Sequence, residues 1–337
     1  MNSLALPEKP LILLLLSLLS LEMGSSVLGD PQVQNDGQIH IFTQWRDKFP
    51  EDMFFWVSYF TQLFPKESIH IIDHDSTHTH TLRAYGELKR QGLEIKTVTG
   101  SFRDKYDHLT TLMKQYQRSS KLLIPLDGDE LIMMPNVSMY TSLHEHNADV
   151  QRTLRSIIAS GKAGDLSPQK FLPLVALPWD CFTEGHMPMN LSMFCSTNAF
   201  VLNKIQKNSK TFYHSSSFIE TDQGNHHGKT SYCRDCYKDS GLALAHFSFA
   251  GMADWIVKMY SRATGSYDHY GKSECVGNGL HYCHAMKTIR NIHSSELYKE
   301  YSRQVCPHSN SNIVHLQAFL TPLCPLSYAN LSELVSV

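Results

Sequence analysis

The run Lys121-Leu-Leu-Ile-Pro-Leu-Asp-Gly-Asp-Glu130 decides the fold. An unbroken apolar stretch that stops abruptly in carboxylates is the pattern of a strand buried on both faces, with its carboxyl end open to solvent. The residues before it repeat that logic. Ile39-His-Ile-Phe-Thr43 reads as a first short strand. Pro50 opens a helix whose Met53, Trp56, Val57, Phe60 and Phe64 share one apolar face, and Pro65 stops it. Ser68–Ile72 is a second strand that runs directly into Asp73. A polar helix over Thr79–Gln91 ends near Gly92, and Leu93–Val98 forms a third strand. Tyr106, Leu109, Met113 and Tyr116 mark the inner face of the helix that precedes Lys121.

Alternating β and α elements of this kind predict an α/β fold, a mostly parallel sheet flanked by helices. In such sheets ligands sit in the crevice beyond the carboxyl ends of the strands, which singles out Asp73, Asp75, Asp127 and Asp129. Pro125 is an exception inside the pattern, because it removes a ladder donor from a central strand. Past residue 145 the periodicity weakens. Gly161–Pro168 and Ser209–Ser240 read as loop, Phe171–Leu177 as a strand, and Gly251–Tyr260 as a short helix around Trp255. The expected organisation is therefore a leader at 1–29, a ligand-binding β-α half at 30–145 and a second half at 146–337.

The leader rests on Lys9 followed by Leu11–Leu21, an apolar run of signal-peptide length, and on small residues from Gly24 to Gly29. The run is too short for an ordinary membrane span of roughly 20 residues. It predicts a cleaved signal or an N-terminal anchor, with the body in the secretory-pathway lumen (Golgi or endoplasmic reticulum) or secreted. Three sequons, at Asn136, Asn190 and Asn330, suit that placement. So do the 8 cysteines, all from Cys181 onward, which in an oxidising compartment predict disulfides. His226-His227 with Cys233-x-x-Cys236 has zinc-ligand types, but the same compartment favours disulfides.

Thirty Lys and Arg face 32 Asp and Glu, for a net charge of −2. With no long basic run, this excludes a protein that holds nucleic acid by phosphate neutralisation. Asp127-Gly128-Asp129-Glu130 instead suits a hard divalent cation, Mn²⁺ or Mg²⁺, which takes oxygen ligands and shares its remaining positions with water and phosphate. An ordinary acidic turn would have the same sequence; its position at a strand end in a β-α array favours the site. Asp73-His74-Asp75 is a second such strand end, open to reading as a rival metal site with His78 and His80 or as a helix-capping loop; the preferred reading has Asp73 accepting from a nucleotide base or ribose.

Residues 39–135 resemble the start of a GT-A fold glycosyltransferase of the family 2-like and family 92-like group. The resemblance is carried by Arg46, Trp56, Asp73 with Ser76, and Asp127/Asp129/Glu130, in that order. It continues through Trp179–His186, Lys210 with Gly224-Asn-His226-His, and Ala245-His246-Phe-Ser-Phe followed by Lys258. His78 stands where the group usually has an Asp, and Thr183-Glu184 departs from its Gly-Ser-x segment. The resemblance implies a GT-A-like (Rossmann-like) transferase, a hexosyltransferase by expectation, moving a sugar from a nucleotide sugar (a UDP-sugar first) to a glycan or glycoconjugate. It implies Asp127, Asp129 and His246 at the metal, and Arg46, Asp73, Asp75 and Lys258 at the nucleotide sugar. Glu184 or Asp222 is the expected catalytic base. The alternatives are a secreted metal-dependent hydrolase and a non-catalytic carbohydrate-binding protein on a degenerate transferase fold.

Overall fold

The computed structural model describes residues 38–100, 104–178, 181, 194–195, 197–202, 209–222, 224–233, 236–249, 252, 254–256, 258–259, 294–306 and 313–315. The leader, all of the Trp179–His186 block except Cys181, and the sequons at Asn190 and Asn330 lie outside them; Asn136 is exposed. No helix among the described residues is long and apolar enough to cross a membrane.

Strands β1 (Ile39–Trp45), β2 (Ile69–His74), β3 (Glu94–Val98) and β4 (Leu122–Asp127) alternate with helices α1 (Pro50–Leu63), α2 (Thr79–Arg90) and α3 (Lys105–Tyr116). All pairings within the order β3-β2-β1-β4 are parallel. The two-residue strand period sorts β1 between two cores. Ile39, Ile41 and Trp45 pack with α1 and α2, while Phe42 packs with Leu109, Leu112 and Met113 of α3. Tyr106, expected on the inner face of α3, is instead exposed. Its neighbours three and seven residues on are the ones that reach the sheet.

The sheet does not end at residue 145. After β5 (Glu130–Met133) and α4 (Leu143–Lys162) come β6 (Gln169–Pro178), β7 (Thr197–Leu202), β8 (Thr211–His214), β9 (Phe218–Thr221), β10 (Gly228–Thr230), β11 (Lys238–His246), α5 (Ser294–Val305) and β12 (Ile313–His315). β8 pairs antiparallel with β4, and β11 pairs antiparallel with β5 and parallel with β6. The result is the expected α/β class, one mostly parallel sheet with helices on both faces. β8 meets β4 only at Leu122 and Leu123, which explains Pro125. The Asp127 N–H, in phase with Pro125, points to the Glu130 side chain. The donor that proline lacks thus falls where no partner strand needs it.

Two stretches differ from the sequence reading. Ser209–Ser240 is not one loop: it holds β8, β9, β10 and the start of β11. Thr211, Phe212 and Tyr213 are fully buried, and the Ser215–Ser217 turn anchors its hydroxyls on the backbone carbonyls of Ser120, His214 and Leu166. Helix α4 carries a start signal, with the Ser142 hydroxyl accepting from the Glu145 N–H at 3.2 Å. Its buried stripe includes His146, Asn147 and Gln151, which blurs the apolar period. Those polar groups are satisfied: His146 accepts from the Met134 N–H at 3.0 Å, and Gln151 donates to the Leu63 carbonyl at 2.8 Å. Disulfides join Cys181 to Cys306 and Cys233 to Cys236. Cys195 is also disulfide-bonded, and no free cysteine occurs among the described residues.

On the α3 side, a polar chain crosses the sheet. His40 Nδ1 donates to His70 Nε2 at 2.7 Å, and His70 Nδ1 donates to Glu94 at 3.0 Å. The Tyr116 hydroxyl donates to the same Glu94 oxygen at 2.6 Å. Burial holds the His70 pKa down to about 4; Glu94 opposes this, and His40 adds to it. Between pH 6.5 and about 4 the unfolded chain therefore binds a proton that the folded chain does not, so stability falls as pH is lowered through that window. We expect the thermal midpoint to drop between pH 6.5 and 4, with up to about 3 kcal/mol from this group. In H70Q the slope should be shallower; an unchanged slope would remove His70 from the account.

Candidate functional site

The site forms where β4 runs out. Gly128 and Asp129 turn the chain into β5, whose Glu130 lies opposite His246, the last residue of β11. The Phe247 N–H donates to the Asp129 carbonyl at 2.8 Å and closes this junction. Glycine is required at 128 by a close approach: a Cβ there would lie 2.2 Å from Nε1 of Trp45. Trp45 in turn packs edge-on against Trp56 and stacks on Tyr85. The Trp56 indole donates to the Glu130 carbonyl at 3.1 Å. Two tryptophans thus fix the turn that aims Asp129.

The carboxylates divide between two sets of cations. Asp127 Oδ1 is 2.9 Å from Lys105 Nζ, and its Oδ2 is 2.5 Å from Lys210 Nζ. Lys210 also lies 3.4 Å from Glu130, whose second oxygen accepts the Asp127 N–H at 2.8 Å. Burial pushes the Asp127 pKa up, but Lys105 and Lys210 outweigh it and hold the carboxyl far below the usual range. Burial likewise favours a neutral Lys210, and Asp127 and Glu130 overcome it, raising its pKa. Glu130 moves the other way: burial raises its pKa, Lys210 resists, and the nearby Asp127 charge adds to the rise.

Asp129 faces the other set. Its Oδ2 is 3.6 Å from His246 Nε2. Burial would raise its pKa, yet His246, with Lys48 and Lys258 behind it, holds it well below the ordinary value. The reciprocal effect raises the His246 pKa, with Asp129 outweighing burial. The His246 ring is 45% exposed, so it faces the crevice. Lys258 donates to the Ser248 carbonyl at 2.6 Å and lies 3.2 Å from Asp254. Its pKa is lowered by burial, against Asp254 and with the help of Lys48.

The neighbouring rim is the loop after β2, locked to the loop after β1. Asp47, at a φ of 46°, accepts from the N–H groups of Thr77 at 2.7 Å and His78 at 2.8 Å, and so caps α2. Ser76 Oγ accepts the Asp47 N–H at 2.9 Å. Asp73, expected at the nucleotide, is instead 3% exposed and braces this loop, accepting from the Ser76 N–H at 3.0 Å and Thr97 Oγ1 at 3.3 Å. Asp75, at a φ of 57°, and Arg46 are exposed on the rim.

The structure therefore brings together Asp127, Asp129, His246 and Lys258. Asp222 is spent elsewhere: its backbone and carboxylate close the β9–β10 turn against His227, at 3.0 and 2.9 Å. Glu184 lies outside the described residues. Sequence reasoning left Lys48, Lys105 and Asp47 unassigned. No motif marks them, since each acts through a fold contact. Lys210 belongs to a quoted block, but that block carries no hint of its ion pairs.

Whether these residues suit a divalent ion follows from the donors. Oδ2 of Asp129 and Nε2 of His246, 3.6 Å apart, are close enough for both to reach one ion at roughly 2.0–2.2 Å. Asp127, expected as a third ligand, has each oxygen on a lysine instead. Among the described residues no three His, Cys, Asp or Glu converge on one cation position. The fit is that of a two-ligand site, completed by phosphate oxygens and water.

No protein-family model matches the chain, and no curated protein matches it in sequence. Solved structures align with it at low identity. TarS 1-349 of S. aureus in complex with UDP aligns at 16% identity over 53% of this chain and 47% of that one, with a TM-score of 0.28. TarS 1-349 crystallised alone gives 13% identity, 68% and 65% coverage, and a TM-score of 0.32. The mannosyltransferase PcManGT of Pyrobaculum calidifontis, in complex with GDP-Man and Mn²⁺, gives 10%, 96% and 94%, with a TM-score of 0.30. The chain thus spans about half the length of the first TarS chain.

The contact at Gly128 yields a direct test. G128A should destabilise the fold by about 1–3 kcal/mol, because the indole or the turn must move. In a W45A background the same substitution should cost little. A double-mutant cycle by denaturant unfolding reads the difference; strictly additive costs would mean that the indole does not set the turn.

Proposed function

We propose that the chain is a metal-dependent glycosyltransferase that moves a sugar, a hexose by preference, from a nucleotide sugar to a glycan or glycoconjugate. The observation that carries this reading is the Asp129–His246 pair, 3.6 Å apart beyond the end of β4, with Lys48 and Lys258 acting on the same carboxylate. Asp129 and His246 would hold Mn²⁺ or Mg²⁺. Such an ion, when bound, supplies Lewis-acid neutralisation of the charge that develops on a departing diphosphate.

The chain's own residues provide the rest. Lys258, fixed by Ser248 and Asp254, presents an ammonium to the diphosphate. Asp127 acts indirectly: it orders Lys105 and Lys210 along one wall, and a carboxylate so firmly ionised remains a fixed anion across physiological pH. Arg46 and Asp75 are placed to meet the nucleotide, and Asp73 keeps their loop in position. Abstraction of the acceptor proton needs a carboxylate base within hydrogen-bond reach of the hydroxyl. With Asp222 held in its turn, we assign that role to Glu184. The apolar run Leu11–Leu21 with the small residues after it, together with the disulfides, supports work in the secretory-pathway lumen.

A thermal-shift panel of UDP, GDP and CMP, each with Mn²⁺ or with EDTA, tests the reading. One nucleotide, UDP first, should stabilise the protein only with metal, by about 2.7 kcal/mol at 100 times its Kd. D129N and H246Q should each lose the metal-dependent part while keeping the metal-free midpoint near that of the native chain. Silence across the panel would overturn the transferase reading, and an unchanged response in D129N would overturn the metal assignment.

A further inference from the structure

A second pocket, of about 840 Å³, opens at the opposite end of β4. Lys121, at its rim, is six residues from Asp127, roughly 20 Å away along an extended strand. Lys114 comes from the last turn of α3 and Arg118 from the turn just after it, and Gln115, Gln117, Ser120, Ser215 and Ser216 complete the wall. No carboxylate lines it, although the chain as a whole has more acids than bases. Surfaces ordinarily intersperse the two signs, so three cations around one acid-free hollow are a local excess.

The usual duty of cations at such a place is to cap the carbonyls at a helix C-terminus. Here other groups do that. The Tyr116 carbonyl accepts from the N–H groups of Ser119 and Ser120, both at 3.1 Å, and from the Ser120 hydroxyl at 2.7 Å. The Ser120 carbonyl takes the Ser215 hydroxyl at 2.5 Å, and the Lys121 carbonyl takes the Ser215 N–H at 2.9 Å. Gln117 donates to the Ser215 and Phe218 carbonyls at 2.8 and 2.9 Å. The carbonyls of Tyr116, Ser120, Lys121 and Ser215 are thus satisfied without the cations. Lys114, Arg118 and Lys121 form no ion pair among the described residues.

We propose that this hollow binds an oxyanion of the phosphate- or sulfate-ester class, independently of the site at Asp129. Arg118 supplies a planar fork suited to two oxygens, and Lys114 and Lys121 supply point charges on either side. The exposed Ser216 hydroxyl is available as a neutral donor. A ligand carrying such a group, for example an acidic saccharide, would be held here at a distance from the Asp129 crevice.

The probes are inorganic sulfate and inorganic phosphate, titrated against sodium chloride at matched ionic strength, with thermal midpoint as the readout. Both anions also stabilise proteins by surface exclusion, so only the difference between native and variant chains is diagnostic. In the native chain the midpoint should rise saturably with one or both anions. The triple variant K114Q/R118Q/K121Q, with an unchanged midpoint in chloride, should need at least tenfold more anion, whereas K89Q, at an exposed lysine on α2, should respond as the native chain does. The anion that saturates at the lower concentration identifies the ester. Equal shifts in the native and triple-variant chains, or loss of the response in K89Q alone, would overturn the proposal.

Discussion

One ammonium group, Lys210 Nζ, sits almost out of solvent between Asp127 and Glu130, with its side chain 8% exposed. Removing a cation from water costs several kcal/mol unless opposite charge and hydrogen bonds replace the lost hydration. The replacement comes from two separate parts of the chain, the end of β4 and the start of β5, while the ammonium itself comes from a third, the segment entering β8. Each contributes little alone, and none can move without stranding a buried charge. The crevice is therefore tied to the sheet at the point where the parallel half gives way to the antiparallel half.

That junction explains how residues over 100 positions apart form one site. β4 delivers Asp127 and turns at Gly128. β5 then pairs backwards with β11, so that His246 arrives opposite Glu130 and its ring reaches Asp129. The Trp45 indole against Gly128 sets the height of the turn, and Trp56 holds the Glu130 carbonyl from beneath. The two carboxylates of the turn acquire different surroundings as a result. Asp127 faces inward to two lysines, and Asp129 faces the half-exposed imidazole. Two aspartates two residues apart thus have different partners: the first is held between two lysines, and the second lies against an imidazole.

The first half of the fold was legible because its signals are local. Four apolar residues at helical spacing in α1 and a fifth, Phe64, at its cap, bracketed by Pro50 and Pro65, leave little choice, and β4 announces itself by its buried run. The second half was harder for a physical reason. His146, Asn147 and Gln151 are buried on α4 through tertiary hydrogen bonds, so its apolar stripe is diluted. β8 to β10 are three or four residues each, among serines that sequence reading assigns to loop. In the site, the turn and the order of its blocks could be read, but not the partners. That Asp127 meets Lys105 and Lys210, and that Asp73 faces its own loop, depend on side-chain directions across strands that sequence spacing does not encode.

The placement of cations follows the same division. At the carboxyl ends of the strands, Lys105 and Lys210 are both matched to Asp127, so their charge is fixed in position before any ligand arrives. Preorganised charge of that kind acts on a developing anion without the cost of reorienting dipoles. At the amino end of β4 the cations have no acid to hold them, and long flexible side chains around a floor of satisfied carbonyls suit a ligand that is captured rather than transformed. On the proposed function the chemistry falls to the Asp129 end, because that is the end where the fold has already ordered its charges.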